Sequence, residues 1–315
     1  MPPTPPLDLA TLPAEPGVYR FWDADGRVLY IGRAVDLRRR VRSYWGSLNG
    51  RPRMRRMVPQ VVRVEVAVCA SEHEAAWLER NLLERSKPRW NRARGGLEVP
   101  VYLRLDNGPE TPGLTVTHEA IDALPHFGPY LGGTRVRAAV TALGTLYPLA
   151  YTADALGGAE QSMAEARGVT SADRTALANT LRALLDRDPA AIAEVRGQVT
   201  TRRSDAAAEL EFELAHHLQE QLEAVEWLVS PQEVTAPGSA PVVRGNRARP
   251  EAVAAGWSDG TLVEFGVTGG RIQTWLQREA SAADAAALIA ATPPHLAAFA
   301  QGNAELATQL RAVPA

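Results

Sequence analysis

Strand-type residues on either side of Asp23-Ala24-Asp25-Gly26, whose Asp-Gly pair is a turn signal, predict a β-hairpin over residues 17–32. The pattern then predicts a helix at 36–46, a basic turn or short helix at 51–58, a strand at 61–69 and a helix at 72–85. Ser71 and Glu74 form a capping box at the start of that last helix, and Pro88 ends it because Lys87 is pushed out of the α region. These elements make a small α+β domain over residues 1–97, with a three-stranded antiparallel sheet flanked by helices.

Further along, a strand is expected at 101–105, an extended Phe127-Gly128-Pro129-Tyr130 segment after it, and a helix at 134–146, together an extension over 98–150. Residues 151–190 are polar and alanine-rich with weak signals, a helical connector. Over 191–230 apolar residues recur every three or four positions, at Ala207, Leu210, Leu214, Leu218, Leu222, Val225 and Leu228, which predicts an apolar stripe on a long helix. A Pro/Gly/Ser-rich linker is expected at 231–250. Residues 251–315 then form a small α+β segment, with strands to about 280, Gly269-Gly270 as a turn, and a helical tail.

Charge divides the chain. The net charge is only −2, yet residues 1–100 hold 18 Lys+Arg against 11 Asp+Glu, and residues 101–315 hold the remaining 16 against 25. From Arg33 to Arg63 there are ten arginines and one acid, Asp36. Clustering in one segment points to a phosphate-binding surface, with Arg38, Arg39, Arg42, Arg51, Arg53, Arg55 and Arg56 as the candidate DNA contacts. A solvated surface in an arginine-rich, lysine-poor proteome is the plainer account, since Lys87 is the sole lysine. The single cysteine, Cys69, excludes an intramolecular disulfide and a cysteine-ligated metal cluster, and its apolar neighbours read it as a small buried hydrophobe. Neither a span of about 20 apolar residues nor a signal peptide is evident, so a cytoplasmic protein is expected.

The hairpin holds Tyr19 and Tyr30 on neighbouring strands. A phenol has a pKa of about 10, so either one serves as a general base only if positive charge stabilises its phenolate. Arg33 and Arg40 supply such charge close by in sequence. Glu79 places a carboxylate on a largely apolar helix face, where burial requires a cation. Two partners suit it: an arginine from the preceding helix, or a divalent Mg²⁺ or Mn²⁺ ion, which accepts one or two carboxylates with water and phosphate. Asn91 either bonds to the same site or merely forms a turn.

The order of Gly17-Val18-Tyr19, Tyr30-Ile31-Gly32, the run Leu37–Tyr44, the run Glu74–Leu83 and Lys87-Pro88-Arg89-Trp90-Asn91 resembles the GIY-YIG nuclease family. The resemblance is greatest to the amino-terminal nuclease domain of the bacterial excinuclease component UvrC. It implies a metal-dependent endonuclease with Glu79 as metal ligand, Arg40 as catalytic arginine, and Tyr19, Tyr30 and Tyr44 in the active site. Arg33 and Asn91 also fall on family positions, Arg33 where a lysine is usual. The similarity continues through residues 101–105, 127–130 and 146–149, but the four cysteines that commonly follow are not present, so no iron–sulfur cluster is expected.

Residues from Leu210 to Glu223 resemble the UVR motif, a helical hairpin that binds the excinuclease component UvrB, which makes Leu210, Phe212, Leu218 and Leu222 the candidate partner contacts. His216, His217 and Gln219 depart from that motif's usual charges. The resemblance to the carboxyl-terminal ribonuclease-H-like and helix-hairpin-helix domains is lacking, so one incision per binding event in nucleotide excision repair is expected. A non-catalytic DNA- and partner-binding regulator, and a sequence-specific nuclease of the same fold, are the alternative readings.

Overall fold

A computed structural model describes residues 4–48, 51–92, 98–235 and 250–312, so most of the linker expected at 231–250 lies outside the described residues. The chain divides into two compact units, one formed by residues 1–97 together with 231–315 and the other by 98–230.

The first unit begins with β1 (Gly17–Trp22) and β2 (Val28–Ala34), an antiparallel pair joined through a turn at Asp23–Arg27. Asp23 organises that turn by accepting hydrogen bonds from the backbone N–H groups of Asp25 and Arg27, and Gly26 takes the positive φ of 71° that the reversal requires. Helix α1 (Leu37–Arg42) is capped by Asp36 and is shorter than expected: Ser43 ends it, and Tyr44 leaves the helix. The short α2 (Pro52–Met57) leads to β3 (Arg63–Val68), which pairs with the other side of β1. The sheet order is therefore β2-β1-β3, and α3 (Glu72–Arg85) packs on β1 and β2. Alternation along β1 sends Tyr19 and Phe21 to one face and Val18 and Arg20 to the other. Tyr19, Phe21, Leu37, Val41, Tyr44 and Met57 form the core under the first face.

The carboxyl-terminal residues complete this same unit. Strands β7 (Ala252–Ser258), β8 (Thr261–Thr268) and β9 (Arg271–Glu279) form an antiparallel meander, with Gly269 and Gly270 both at positive φ in the turn between β8 and β9. Helices α9 (Ala282–Ala290) and α10 (Pro294–Ala312) follow. Helix α10 lies along β3, where Asn303 accepts from the Val68 N–H at 2.8 Å and donates to the Val68 carbonyl at 3.1 Å. This satisfies backbone groups on an edge strand that would otherwise be open to pairing with another chain. Across the sheet, buried Arg20 pairs with Glu65 at 2.5 Å, donates to the Trp275 carbonyl at 2.6 Å and stacks 3.8 Å from the Trp275 ring. Burial lowers the Arg20 pKa to about 10 despite the Glu65 charge. Removing one partner of such a pair costs about 3–5 kcal/mol, so the contact is integral to the unit. Cys69 is buried, and burial followed by the Glu74 charge pushes its thiol well up, which fits a small core residue.

In the second unit, β4 (Pro100–Asp106), β5 (Gly113–Thr117) and β6 (His126–Leu131) form a sheet in the order β5-β4-β6. Against it lies α4 (Gly133–Leu146), and the weakly patterned 151–190 region contains two helices, α5 (Gly158–Arg167) and α6 (Arg174–Leu185). The region 191–230, expected as a UVR-like helical hairpin, is two helices, α7 (Pro189–Ala208) and α8 (Phe212–Val229), so the apolar repeat from Ala207 to Leu228 does not lie on one long helix. The break falls at Leu210, whose φ of 63° is left-handed and ends α7. Leu218, Leu222, Val225 and Leu228 of α8 pack into the core with Val195 and Val199 of α7. Leu210, Phe212 and Leu214 remain exposed near the turn.

Candidate active site

The register β1–β2 sets Tyr19 opposite Gly32 and Tyr30 opposite Phe21, so the two phenols lie diagonally on one sheet face with ring centroids 6.1 Å apart. Gly32 is what lets them approach: a Cβ there would collide with the Tyr19 phenol and the Tyr30 ring. Gly17 has the same role toward α1, since a Cβ would strike the Ala67 carbonyl and Leu37. Phe21, edge-on to Tyr44 at 5.0 Å between centroids, is an aromatic support that the sequence pattern did not single out.

These aromatics form a polar chain. The Tyr19 and Tyr44 hydroxyls share a hydrogen bond of 2.7 Å, and Arg40 Nε donates to Tyr19 Oη at 3.2 Å. The Arg40 guanidinium also lies 5.3 Å from the Tyr44 ring centroid. Tyr30 lies beside Tyr44, with ring centroids 6.2 Å apart, and the Tyr44 phenol and the Glu79 charge both raise its pKa. Glu79 ends the chain with Arg33 Nε at 3.6 Å. Tyr19 is fully buried, Tyr44 almost so, and Tyr30 only partly. The Glu79 side chain keeps 22% of its exposure with the Arg33 guanidinium beside it, and its charge reaches Tyr30.

Burial is the largest effect on the two hairpin tyrosines. It pushes Tyr19 well above the ordinary phenol value; Tyr44 and Tyr30 add to this, and Arg40 only partly opposes it. Tyr30 is raised by burial, then by Tyr44 and by Glu79, again against Arg40. The expectation that nearby arginine would favour a phenolate holds in direction but not in net effect, because low dielectric disfavours the charged phenol more strongly. For Arg40 itself burial is the largest single effect and lowers the pKa, but Tyr19, Tyr44 and Tyr30 together carry it above the usual arginine value.

Asn91 occupies a different position in the scheme. Its Oδ1 accepts from the Ile31 N–H at 3.0 Å and its Nδ2 donates to the Ile31 carbonyl at 2.8 Å, so a buried side-chain amide pins the segment after α3 to β2 beside Tyr30. This is a positioning role. Of the candidate DNA contacts, Arg38, Arg39, Arg42, Arg51, Arg55 and Arg56 are exposed. Arg38 also donates to the Leu12 carbonyl. Arg53 is partly buried, donating to the Arg89 carbonyl and lying 5.9 Å from the Trp90 ring centroid. Leu218 and Leu222, expected to meet a partner, are buried within the second unit and cannot do so; the exposed residues are Leu210, Phe212 and Leu214.

A short antiparallel sheet bearing paired phenols, an arginine on the following helix and a helix-borne carboxylate define a nuclease-type domain of the GIY-YIG class. Residues 15–92 match the family described as the UvrC-like GIY-YIG domain, so the chain carries a domain of that family. UvrABC system protein C of Natronomonas pharaonis is 37% identical over 230 residues, 69% of this chain and 38% of the relative. The protein of that name from Moorella thermoacetica is 31% identical over 244 residues, 72% of this chain and 38% of the relative. The Geobacter metallireducens protein is 39% identical over 145 residues, 45% of this chain and 24% of the relative. This chain thus spans less than two fifths of the length of these relatives. A crystal structure of the GIY-YIG N-terminal endonuclease domain of UvrC from Thermotoga maritima, bound to magnesium, aligns with 27% of this chain and 91% of its own at 36% identity, with a TM-score of 0.24.

Proposed function

We propose that this protein is a metal-dependent DNA endonuclease that makes a single-strand incision in the manner of a UvrC nuclease domain, in nucleotide excision repair. The observation that carries the reading is the cluster of Arg40, Tyr19, Tyr44, Tyr30 and Glu79: hydrogen bonds join Arg40 to Tyr19 and Tyr19 to Tyr44, and Tyr30 lies beside Tyr44 within reach of the Glu79 charge.

Glu79 fits a hard divalent ion. Its carboxylate is a hard oxygen donor on a side chain that keeps 22% of its exposure. One carboxylate completed by water and substrate phosphate is a sphere that Mg²⁺ accepts, and Mn²⁺ takes the same donors. Bound there, the ion supplies Lewis acidity to the scissile phosphate and a positive charge beside Tyr30. Tyr30 is the partly exposed phenol, so it is assigned as the base: having first released its own proton to solvent, with the bound ion's charge favouring the phenolate, it would take a proton from the attacking water. Tyr44 and buried Tyr19, hydrogen-bonded to each other, pack beside its ring. Arg40, kept protonated by the phenols around it, meets the negative charge that builds on the phosphoryl oxygens. The water oxygen bonds to phosphorus as its proton passes to Tyr30, the bond to the leaving ribose oxygen breaks, and that oxygen takes a proton from solvent water. The exposed arginines bind the phosphate backbone without reading bases.

A UvrB-type partner is assigned to Leu210, Phe212 and Leu214 at the α7–α8 turn, because these are the exposed apolar residues of that hairpin. With DNA as substrate, the protein would work in the cytoplasm. Plasmid nicking with Mg²⁺ or Mn²⁺ tests the main reading: Glu79→Ala is expected to lose activity by about a hundredfold or more. Equal nicking by both proteins would instead favour a non-catalytic DNA-binding role.

A further inference from the structure

Helix α3 carries the Glu79 carboxylate, and the residues that hold its opposite side come from far along the chain. Glu74, Trp77, Asn81, Glu84 and Arg85 recur at helical spacing and form one stripe. Each of them meets residues 233–273. Glu74 Oε1 accepts from the Glu233 N–H at 2.9 Å, and Asn81 Nδ2 donates to Thr235 Oγ1 at 2.9 Å in a fully buried contact. Arg271, 5% exposed, pairs with Glu84 at 3.4 Å and lies 5.2 Å from the Trp77 ring centroid. Arg85 donates to Gln273 Oε1 at 3.4 Å. The segment that makes these contacts is itself fixed to β9, since Ile272 N–H donates to the Val234 carbonyl and Thr235 bridges Arg271.

At 100° per residue, Glu79 stands about 140° round the helix from Glu74 and about 160° from Asn81. The stripe and the carboxylate are therefore on opposite sides of α3. Contacts spread over three helical turns fix both the rotation of α3 and its depth against β1 and β2. A metal ligand has to be held within about 0.5 Å and 10–20° of its working geometry, and rotation of a helix swings a long glutamate by more than that.

We infer that residues 233–235 and Arg271 of β9 form a positioning clamp on α3 that sets Glu79 for metal binding, so that the affinity of the site for its ion depends on side chains nearly two hundred positions away in sequence. The inference rests on the metal reading of Glu79. It assigns Arg271, Thr235 and Asn81 as positioning residues, which act through the helix and touch no reacting atom.

The test uses the full chain without DNA, with Mn²⁺ binding followed by the electron spin resonance of the free ion, and folding checked by far-ultraviolet circular dichroism and thermal melting. Arg271→Gln is expected to weaken Mn²⁺ binding about tenfold and to raise the Mn²⁺ needed for half-maximal nicking equally, while the rate at saturating Mn²⁺ stays within about twofold. Thr235→Val shifts affinity in the same direction by less, and Arg271→Lys recovers most of the loss. Unchanged Mn²⁺ affinity in folded Arg271→Gln overturns the clamp. If that variant does not fold, Thr235→Val decides, with unchanged affinity again overturning it. Glu79→Ala separates the two readings: loss of Mn²⁺ binding leaves the metal site standing whatever the clamp variants do, whereas wild-type binding removes the metal site and the clamp with it.

Discussion

Tyr19 and Tyr30 are better described by their burial than by their neighbours' charge. Both carry pKa values above the free phenol, so the folded protein binds their protons more tightly than the unfolded chain does. The sign follows: this contribution to stability is complete below about pH 10, where unfolded tyrosine ionises, and is lost as pH rises beyond it toward the folded values. Urea midpoints are therefore expected to fall between about pH 9 and about pH 11, and Tyr19→Phe should make that fall shallower; an equal slope in both proteins would contradict the assignment. The same pKa values say that the phenols are neutral at physiological pH without an ion. Adding Mg²⁺ should bring tyrosinate absorbance in to lower pH in the wild type, and should leave the Glu79→Ala titration unmoved. Gly32 makes a related point about space: no side chain larger than hydrogen fits beneath the Tyr19 phenol.

At the scale of elements, the α7–α8 pair shows what periodicity reports. The repeat of three and four through Leu218, Leu222, Val225 and Leu228 describes a buried face, and the face is buried against the protein's own second unit. A charge at Leu218 would thus damage folding and say nothing about a partner. Exposed Phe212 is the informative position. Phe212→Asp is expected to abolish capture of a UvrB-type partner while leaving the melting temperature within a few degrees, as surface substitutions usually change stability by no more than about 0.5 kcal/mol. Retained capture would move the partner surface elsewhere. Helix α3 illustrates the complementary case, a largely buried helix that carries Glu79, partly exposed, within reach of Tyr30.

For the molecule as a whole, the basic front has a measurable consequence. Phosphate contacts release counterions, so DNA affinity should fall linearly on logarithmic scales of affinity and salt, whatever the DNA sequence. Replacing Arg55 and Arg56 together with glutamine is expected to reduce the magnitude of that slope by roughly 2; an unchanged slope would place the DNA elsewhere. Among the described residues no helix is long and apolar enough to cross a membrane. Much of the amino-terminal domain was legible from local signals: the Asp-Gly turn, the alternation on either side of it, the Ser71 cap and the arginine run are all properties of neighbours in sequence, although the expected capping box is only half formed, the Glu74 carboxylate accepting from Ala70 and Glu233 N–H instead of Ser71 N–H. The position of the break within the hairpin expected at 191–230 was not, because a left-handed residue such as Leu210 inside a helical repeat leaves the repeat intact. Nor was the attachment of β7–β9 and α10 to the first domain, since Asn303 on Val68, Arg20 on Trp275 and Arg271 on Glu84 each join residues more than 180 positions apart. Sequence alone therefore determined which local elements form in the amino-terminal domain and which candidate side chains they bear, because period and turn chemistry act over a few residues. Tertiary structure decided which phenol meets water, which leucines stay available to a partner and what holds the Glu79 helix from behind, because burial and contact depend on what distant parts of the chain bring against each residue.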